Sequence, residues 1–396
     1  MSPPETTSAV APGAVDVRPV VAIIAMAAVF GVLQGLTYPL FALLLERQGV
    51  GATVIGLNAA MMPLGLIAAA PFVPDAARRI GARRLAVLAC LLLAAALLVM
   101  GASEVLWVWF IGRFLLGIGI NAIYVVSETW LNLMIPRAQR GRWLALYATM
   151  LGAGFAAGPA LLLATGIDGF APFFVAIVFA LVTAGLIVAA HDRLPRFHIE
   201  HGMTLFAFMP LAPLLLAAVA AAAAFDQAVL TFLPLYTLAF GASETAAKLA
   251  ITALALGNVL LQMPIGWLAD RVSRKAATLT CTFATVAGAA LLPAVAEPGP
   301  WLWLLVFLWG GFAYGTYTVA LVELGDRFTG STLLAGNAAF AMMWGMAGLV
   351  GPTASGIAID AIGPNGLPLV VAIAFAALSL AYWYRRPPLD RAPSLP

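Results

Sequence analysis

Residues 246–275 read AAKLAITALALGNVLLQMPIGWLADRVSRK, and this stretch holds the pattern that organises the whole chain. Ala246–Ala269 carries one charge, Lys248, close to its start. At about 1.5 Å per helical residue it is long enough to cross a hydrocarbon core of roughly 30 Å. It then ends in Asp270, Arg271, Arg274 and Lys275. A surface helix of a soluble protein would set a polar face against an apolar one. An apolar run of this length closed by a charged break is instead the pattern of a bilayer-spanning helix.

The same pattern recurs along the chain. Apolar spans fall near Val20–Leu45, Val54–Val73, Leu85–Ala102, Leu106–Met134, Trp143–Thr165, Phe170–Ala190, Leu205–Phe240, Ala246–Ala269, Ala276–Ala296, Trp301–Val322, Leu333–Ile359 and Leu367–Tyr384. Composition agrees: the 396 residues are 63% hydrophobic and 9% charged, against about 25% charged in soluble domains. Twelve helices of roughly 20 apolar residues fit within that content. The expected fold is therefore an all-α membrane protein of twelve transmembrane helices. A soluble enzyme, a disordered chain, a coiled coil, a disulfide-stapled secreted fold and a nucleic-acid binder are excluded. Cys90 and Cys281 lie far apart within apolar runs, as buried thiols do, and make no metal-binding spacing.

Basic residues orient the spans. Of the 20 Lys and Arg residues, only Arg47 and Lys248 (just inside the start of its span) fall at one set of connections, and Arg113 lies deep inside a span. The others fall in the alternate connections and the tails. The positive-inside rule then places both termini in the cytoplasm, in a plasma (inner) membrane. Met1 to Arg18 lacks the basic n-region of a secretory signal and reads as a short tail. The expected organisation is a tail over 1–18, a six-helix half over 19–190, a cytoplasmic loop over 191–204, a second half over 205–384 and a tail over 385–396.

The halves read as copies. Tyr38-Pro39-Leu-Phe matches Leu233-Pro234-Leu-Tyr, Asp75 matches Asp270, Glu128 matches Glu323, and Gly158-Pro159 matches Gly351-Pro352. Matches in this order indicate two pseudo-symmetric halves, the build of transporters that enclose a site near the bilayer midplane.

The segment Gly266-Trp-Leu-Ala-Asp270-Arg271-Val-Ser-Arg274-Lys275 resembles the cytoplasmic loop signature of the major facilitator superfamily (MFS), G-x-L-A-D-R-x-G-R-R, with Ser273 in place of the second glycine. The first-half copy, from Pro71 through Asp75 to Arg84, is looser. Gly112-Arg113-Phe-Leu-Leu-Gly117-Ile-Gly119 is similar to the superfamily's fourth-helix R-x-x-x-G-x-G signature. Gly154-Phe-Ala-Ala-Gly158-Pro159 resembles the G-x-x-x-G-P motif of its antiporters. Together with Val125-Val-Ser-Glu128-Thr-Trp-Leu-Asn132 and Arg140-Gly-Arg142, these segments resemble the YcaD-like subgroup. The resemblance implies the MFS fold and alternating access around a cavity lined mainly by the first, fourth, seventh and tenth helices. It also implies a gating role for Asp75, Asp270, Arg271 and Arg274, in which the acid faces the positive end of a helix in the other half and arginines brace it.

Candidate site residues follow from depth and spacing. Arg113, Gly117, Asn121, Tyr124 and Glu128 recur by three or four residues and share one helix face over roughly 22 Å. Charges inside a membrane helix cost at least ~2.5 kcal/mol on insertion scales, so they face a cavity or a partner. Asp226, beside Gln227, is the deep acid of the second half. Desolvation favours the neutral form of a carboxyl group, the property a proton carrier needs. Asp226, Glu128 and Arg113 are thus the proton-coupling candidates, whereas Glu323, close to Asp326 and Arg327, reads as a cap or salt bridge. Gln34, Tyr38, Asn121, Tyr124, Gln227, Tyr314, Tyr317 and Trp344 are the substrate-binding candidates. Asn58, Asn258, Gln262 and Asn337 fit a cavity wall and a helix-packing contact equally well.

No zinc-protease, nucleophile-elbow or Walker sequence is present, so enzymatic activity is not expected. His191, His198 and His201 with Glu200 lack a fixed frame for a metal, and no cofactor is expected. The expected function is secondary active transport of a small organic molecule by a monomer, with protons as the coupling ion and export by antiport as the first reading. Uptake by symport, uniport and flipping of a lipid or lysolipid remain open, and a non-transporting receptor is the alternative of a different class.

Overall fold

The computed structural model describes residues 17–134, 140–190 and 205–384, and the described residues form helices without strands. Residues 1–16 and 385–396, Arg137 and the 191–204 loop with its histidines lie outside the described residues, as do the side chains of Asn132, Arg140 and Arg142.

The first half comprises α1 (Val17–Arg47), α2 (Ala52–Ala69), α3 (Val73–Ile80), α4 (Ala82–Gly101), α5 (Leu106–Met134), α6 (Arg140–Thr165) and α7 (Ala171–Ala189). The second comprises α8 (Leu205–Phe208), α9 (Pro213–Ala239), α10 (Glu244–Arg271), α11 (Arg274–Leu291), α12 (Pro300–Arg327), α13 (Gly330–Ile362) and α14 (Gly366–Tyr384). Eleven of these are long and apolar enough to cross a membrane, and α6 adds a shorter apolar segment, Thr149–Thr165. With twelve crossings, the start of α1 and the end of α14 share one side of the bundle, called here the terminal face. The other side is the distal face.

Two expected spans differ from the helices observed, in both cases at prolines. The second ends at Ala69, and the short helix α3 begins after Pro71, with Pro74 in its first turn. Helix α3 buries Val73 and Ala77 and carries Arg78 and Arg79 in its last turn, so it lies along the surface. The expected span Leu205–Phe240 breaks into α8, a 3-10 turn at Met209–Leu211 and α9. Pro210 and Pro213 lack the N–H groups a continuous helix needs. At the N-terminus, α1 begins at Val17 and takes in the end of the expected tail.

Helices α1 and α9 occupy the centre, with nearly all their large side chains buried. The peripheral helices α4, α7, α11 and α14 turn Leu88, Leu98, Phe174, Val182, Phe283 and Ile373 outward. Small residues set the close approaches, as expected where hydrophobic burial gives no drive between helices. A Cβ on Gly158 of α6 would meet the backbone of Gly35 on α1, and one on Gly351 of α13 would meet the backbone of Ala224 on α9. The Gly-Pro repeat read from the sequence is thus also a repeat of packing.

Between the halves, α2 lies against α13, α6 against α10 and α1 against α9. Their distal ends are clasped. Arg47, at the end of α1, pairs with Asp168 of its own half and with Glu244 of the other. Asp360, near the end of α13, accepts hydrogen bonds from the backbone N–H groups of Ala52 (3.0 Å) and Thr53 (2.8 Å), which open α2. Nearby, the α2–α13 contact is backbone to backbone, at Gly56 against Pro352 and Gly356 against Ala52.

Candidate translocation site

The site lies between α1, α5, α9, α12 and α13. Alanines precede Asp226 on α9 and let neighbouring helices approach, while Pro39 and Pro234 sit within the central helices and interrupt their ladders. Gln34, Tyr38, Gln227 and Trp344 line a tight central pocket of about 10 Å³, completed by Met62, Pro63, Leu66, Ile120 and Gly345. Its polar groups are amides and a phenol, and its apolar wall comes from both halves.

Tyr38 is the hub. Its hydroxyl donates a 2.5 Å hydrogen bond to Oε1 of Gln227, joining the halves in the buried centre. The Gln227 amide is seated against Gly348 of α13, where a Cβ would collide with it. The Arg113 guanidinium stacks 4.6 Å from the Tyr38 ring centroid and 5.5 Å from that of Phe41, within the range of cation–π attraction. Its Nη1 donates to the backbone carbonyl of Thr37 at 3.3 Å. Arg113 is 1% exposed, and its Nε and Nη2 have no hydrogen-bond partner among the described residues.

Asp226 is 0% exposed. Tyr314 of α12 donates to its Oδ1 at 2.5 Å, and its Oδ2 has no partner among the described residues. Phe225, the preceding residue, packs edge-on against Trp309, Tyr314 and Phe375, which fixes this part of α9 within its half. The residue before Gln227 therefore faces α12, while Gln227 itself faces α1.

Toward the terminal face, Tyr124, Glu128, Tyr317 and Trp344 are only partly buried. Tyr124 is hydrogen-bonded to Glu128, and Tyr317 and Trp344 are packed edge to face at 5.2 Å. Asn121 is buried between the two groups, and its Oδ1 has no partner among the described residues.

The remaining candidates divide. Gln262 bonds Asn258 at 3.1 Å and accepts from Thr318, so both amides serve packing of α10 on α12. Glu323 pairs with Arg327 at 3.2 Å, the salt bridge its position suggests. At the terminal face Asp75 pairs with Arg78, and Arg274 bridges Asp270 (3.0 Å) and Asp326 (2.9 Å), each within one half. Arg271 stacks on Trp267 of its own helix. In this conformation the bracing arginine is in place beside Asp270, and the acid's described partner belongs to its own half.

Several elements escape sequence reading. The Arg47–Glu244 pair and the Asp360 cap join residues far apart in the chain, and short polar connections alone do not reveal such partners. The pocket walls Met62, Leu66 and Ile120 look like any other lipid-span residues.

The architecture is that of a membrane transporter, and the chain belongs to the Major Facilitator Superfamily, whose family model matches residues 23–236 and 214–396. Among curated relatives, the uncharacterized MFS-type transporter YfkF of Bacillus subtilis (strain 168) is 26% identical over 84% of this chain and 87% of its own length. The uncharacterized MFS-type transporter YcaD of Salmonella arizonae is 25% identical, over 74% of this chain and 77% of its own. Two solved structures share the fold at low identity. The nucleoside transporter NupG superposes with a TM-score of 0.74 at 12% identity, covering 93% of this chain and 98% of NupG. A D-xylose-proton symporter gives 0.74 at 16% identity, covering 94% and 98%.

Proposed function

We propose that the protein exports a small organic molecule in exchange for protons by alternating access, and that Asp226 is the proton-carrying group. The observation that carries this reading is the Asp226 carboxyl: buried at mid-helix, fixed through one oxygen by Tyr314, and left with a second oxygen that has no partner among the described residues. A structural acid would be expected to satisfy both oxygens. One held at a single oxygen retains a place for a proton.

Arg113 is the counter-charge. It stands across the Tyr38–Gln227 link from Asp226, and opening of the distal clasp would admit water or solute to both. Gln34, Tyr38, Asn121, Gln227 and Trp344 contact solute in the centre, with Tyr124, Tyr314 and Tyr317 along its path and Glu128 nearer the terminal face. Asp75, Asp270, Arg271 and Arg274 gate the terminal face, which the arginine bias assigns to the cytoplasm. Antiport is favoured over symport by the resemblance of Gly154-Phe-Ala-Ala-Gly158-Pro159 to the superfamily's antiporter motif, in the segment that packs α6 against α1.

The test is reconstitution into liposomes with an internal pH dye, after a thermal-shift screen has supplied a stabilising solute. Solute added on one side should drive protons toward that side. Proton movement in the same direction as solute identifies symport, and solute flux without proton movement removes the coupling claim.

A further inference from the structure

Glu128 stands where tyrosines from both halves converge. Tyr124, hydrogen-bonded to it, and Tyr147, whose hydroxyl lies 2.9 Å from that of Ser127, come from the first half. Tyr317 comes from the second, and Tyr124, Tyr147 and Tyr317 all lie within electrostatic reach of the Glu128 carboxyl. Further rings extend the surface: Phe30 lies 5.4 Å from Tyr124, and Trp344 lies 5.2 Å from Tyr317.

Neutral aromatic faces and one carboxylate suit a particular ligand chemistry. Ring faces carry partial negative charge, and they attract cations whose hydration shell is weak, above all alkylated ammonium groups. A carboxylate beside such rings supplies the countercharge. A small anion would meet the same negative field from every wall, and a neutral sugar-like solute would find few amide groups at this level. Trp344 also lines the central pocket, so this cluster and the pocket share one side chain.

We infer that the Glu128 cluster, with Tyr124, Tyr317 and Trp344, binds an organic cation of the alkylammonium class, which is the solute this transporter carries. This deepens the transport reading above and rests on it. Exchange of such a cation for a proton also conserves charge across one turn of the cycle.

The experiment is equilibrium binding to the purified full chain in detergent, read by titration calorimetry. The probes are phenyltrimethylammonium, its neutral carbon isostere tert-butylbenzene, and benzoate. Phenyltrimethylammonium should bind at least about tenfold more tightly than the other two, and Glu128→Gln should remove most of that preference. Tyr317→Phe keeps the ring and should keep binding, whereas Tyr317→Leu should weaken the cation selectively. Equal binding of the three probes, or an unchanged preference in Glu128→Gln, overturns the inference. Binding is read without a membrane or a pH gradient. Loss of proton-linked flux therefore contradicts the transport reading alone, and loss of cation preference contradicts this one alone.

Discussion

Tyr38 of α1 and Gln227 of α9 are joined by a 2.5 Å hydrogen bond that crosses from one half to the other at the buried centre of the protein. The same phenol ring lies under Arg113, and the residue before Gln227 is Asp226. This contact between the halves is therefore adjacent to both Arg113 and Asp226. Tyr38→Phe keeps the ring under Arg113 but leaves the Gln227 oxygen without its donor, at a cost of about 1–3 kcal/mol to this conformation. The distally open state should become severalfold more populated. Labelling of a cysteine placed at Gln34 by a membrane-impermeant thiol reagent applied to the distal face measures this. Gly348→Ala, which crowds the Gln227 amide, should act in the same direction.

The Asp360 cap is a second brace on the same conformation. Its carboxylate accepts from the first N–H groups of α2, which belongs to the other half. Capping of this kind contributes about 0.5–2 kcal/mol. Of the exposed Arg47 pairs only that with Glu244 crosses between the halves, and it contributes less, about 0–1 kcal/mol. Asp360→Ala should thus raise distal labelling more than Arg47→Ala does, and the same Gln34 cysteine reports the order.

Packing of α1 on α6 leaves no space at Gly158. Gly158→Ala should cost about 1–3 kcal/mol through overpacking and lower the melting temperature of the detergent-solubilised protein. Gly152, whose added Cβ meets nothing within 4 Å, is on the same helix and should accept alanine without loss.

At the terminal face, Asp270 and Asp326 share Arg274. As part of a gate, Asp270→Asn should slow turnover and alter access to labels on the two faces while leaving solute affinity in one state unchanged. Unchanged flux and labelling would reduce this cluster to a membrane-side anchor.

Much of the fold was legible in sequence because the bilayer removes ambiguity. An apolar run long enough to cross lipid must be helical, since no water is available to satisfy its backbone. The misplaced boundaries were local: Pro71 and Pro74 separate α3 from α2, and Pro210 and Pro213 detach α8 from α9. Hydropathy averages across such breaks. The repeat motifs had a physical counterpart too, because Gly158 and Gly351 make equivalent backbone contacts in their halves. For the site, Tyr38, Gln227, Asp226 and Arg113 stood out as polar groups in apolar helices, and they fall together. Gln262 stood out for the same reason and serves packing instead, since depth alone does not distinguish a cavity wall from a helix contact. The distal clasp was not legible, because Arg47, Glu244 and Asp360 are ordinary residues at helix ends whose partners lie in other helices.

The central claim is that Asp226 carries the coupling proton, and a paired flux measurement on Asp226→Asn tests it most directly. Wild-type and variant proteoliposomes are assayed for solute accumulation driven by a pH gradient and for solute exchange at equal pH. Exchange requires alternating access and no net proton movement. The account predicts that Asp226→Asn abolishes gradient-driven accumulation and retains exchange. Full gradient-driven transport in Asp226→Asn would contradict it, leaving Asp226 as a packing acid held by Tyr314 and passing the coupling role to Glu128.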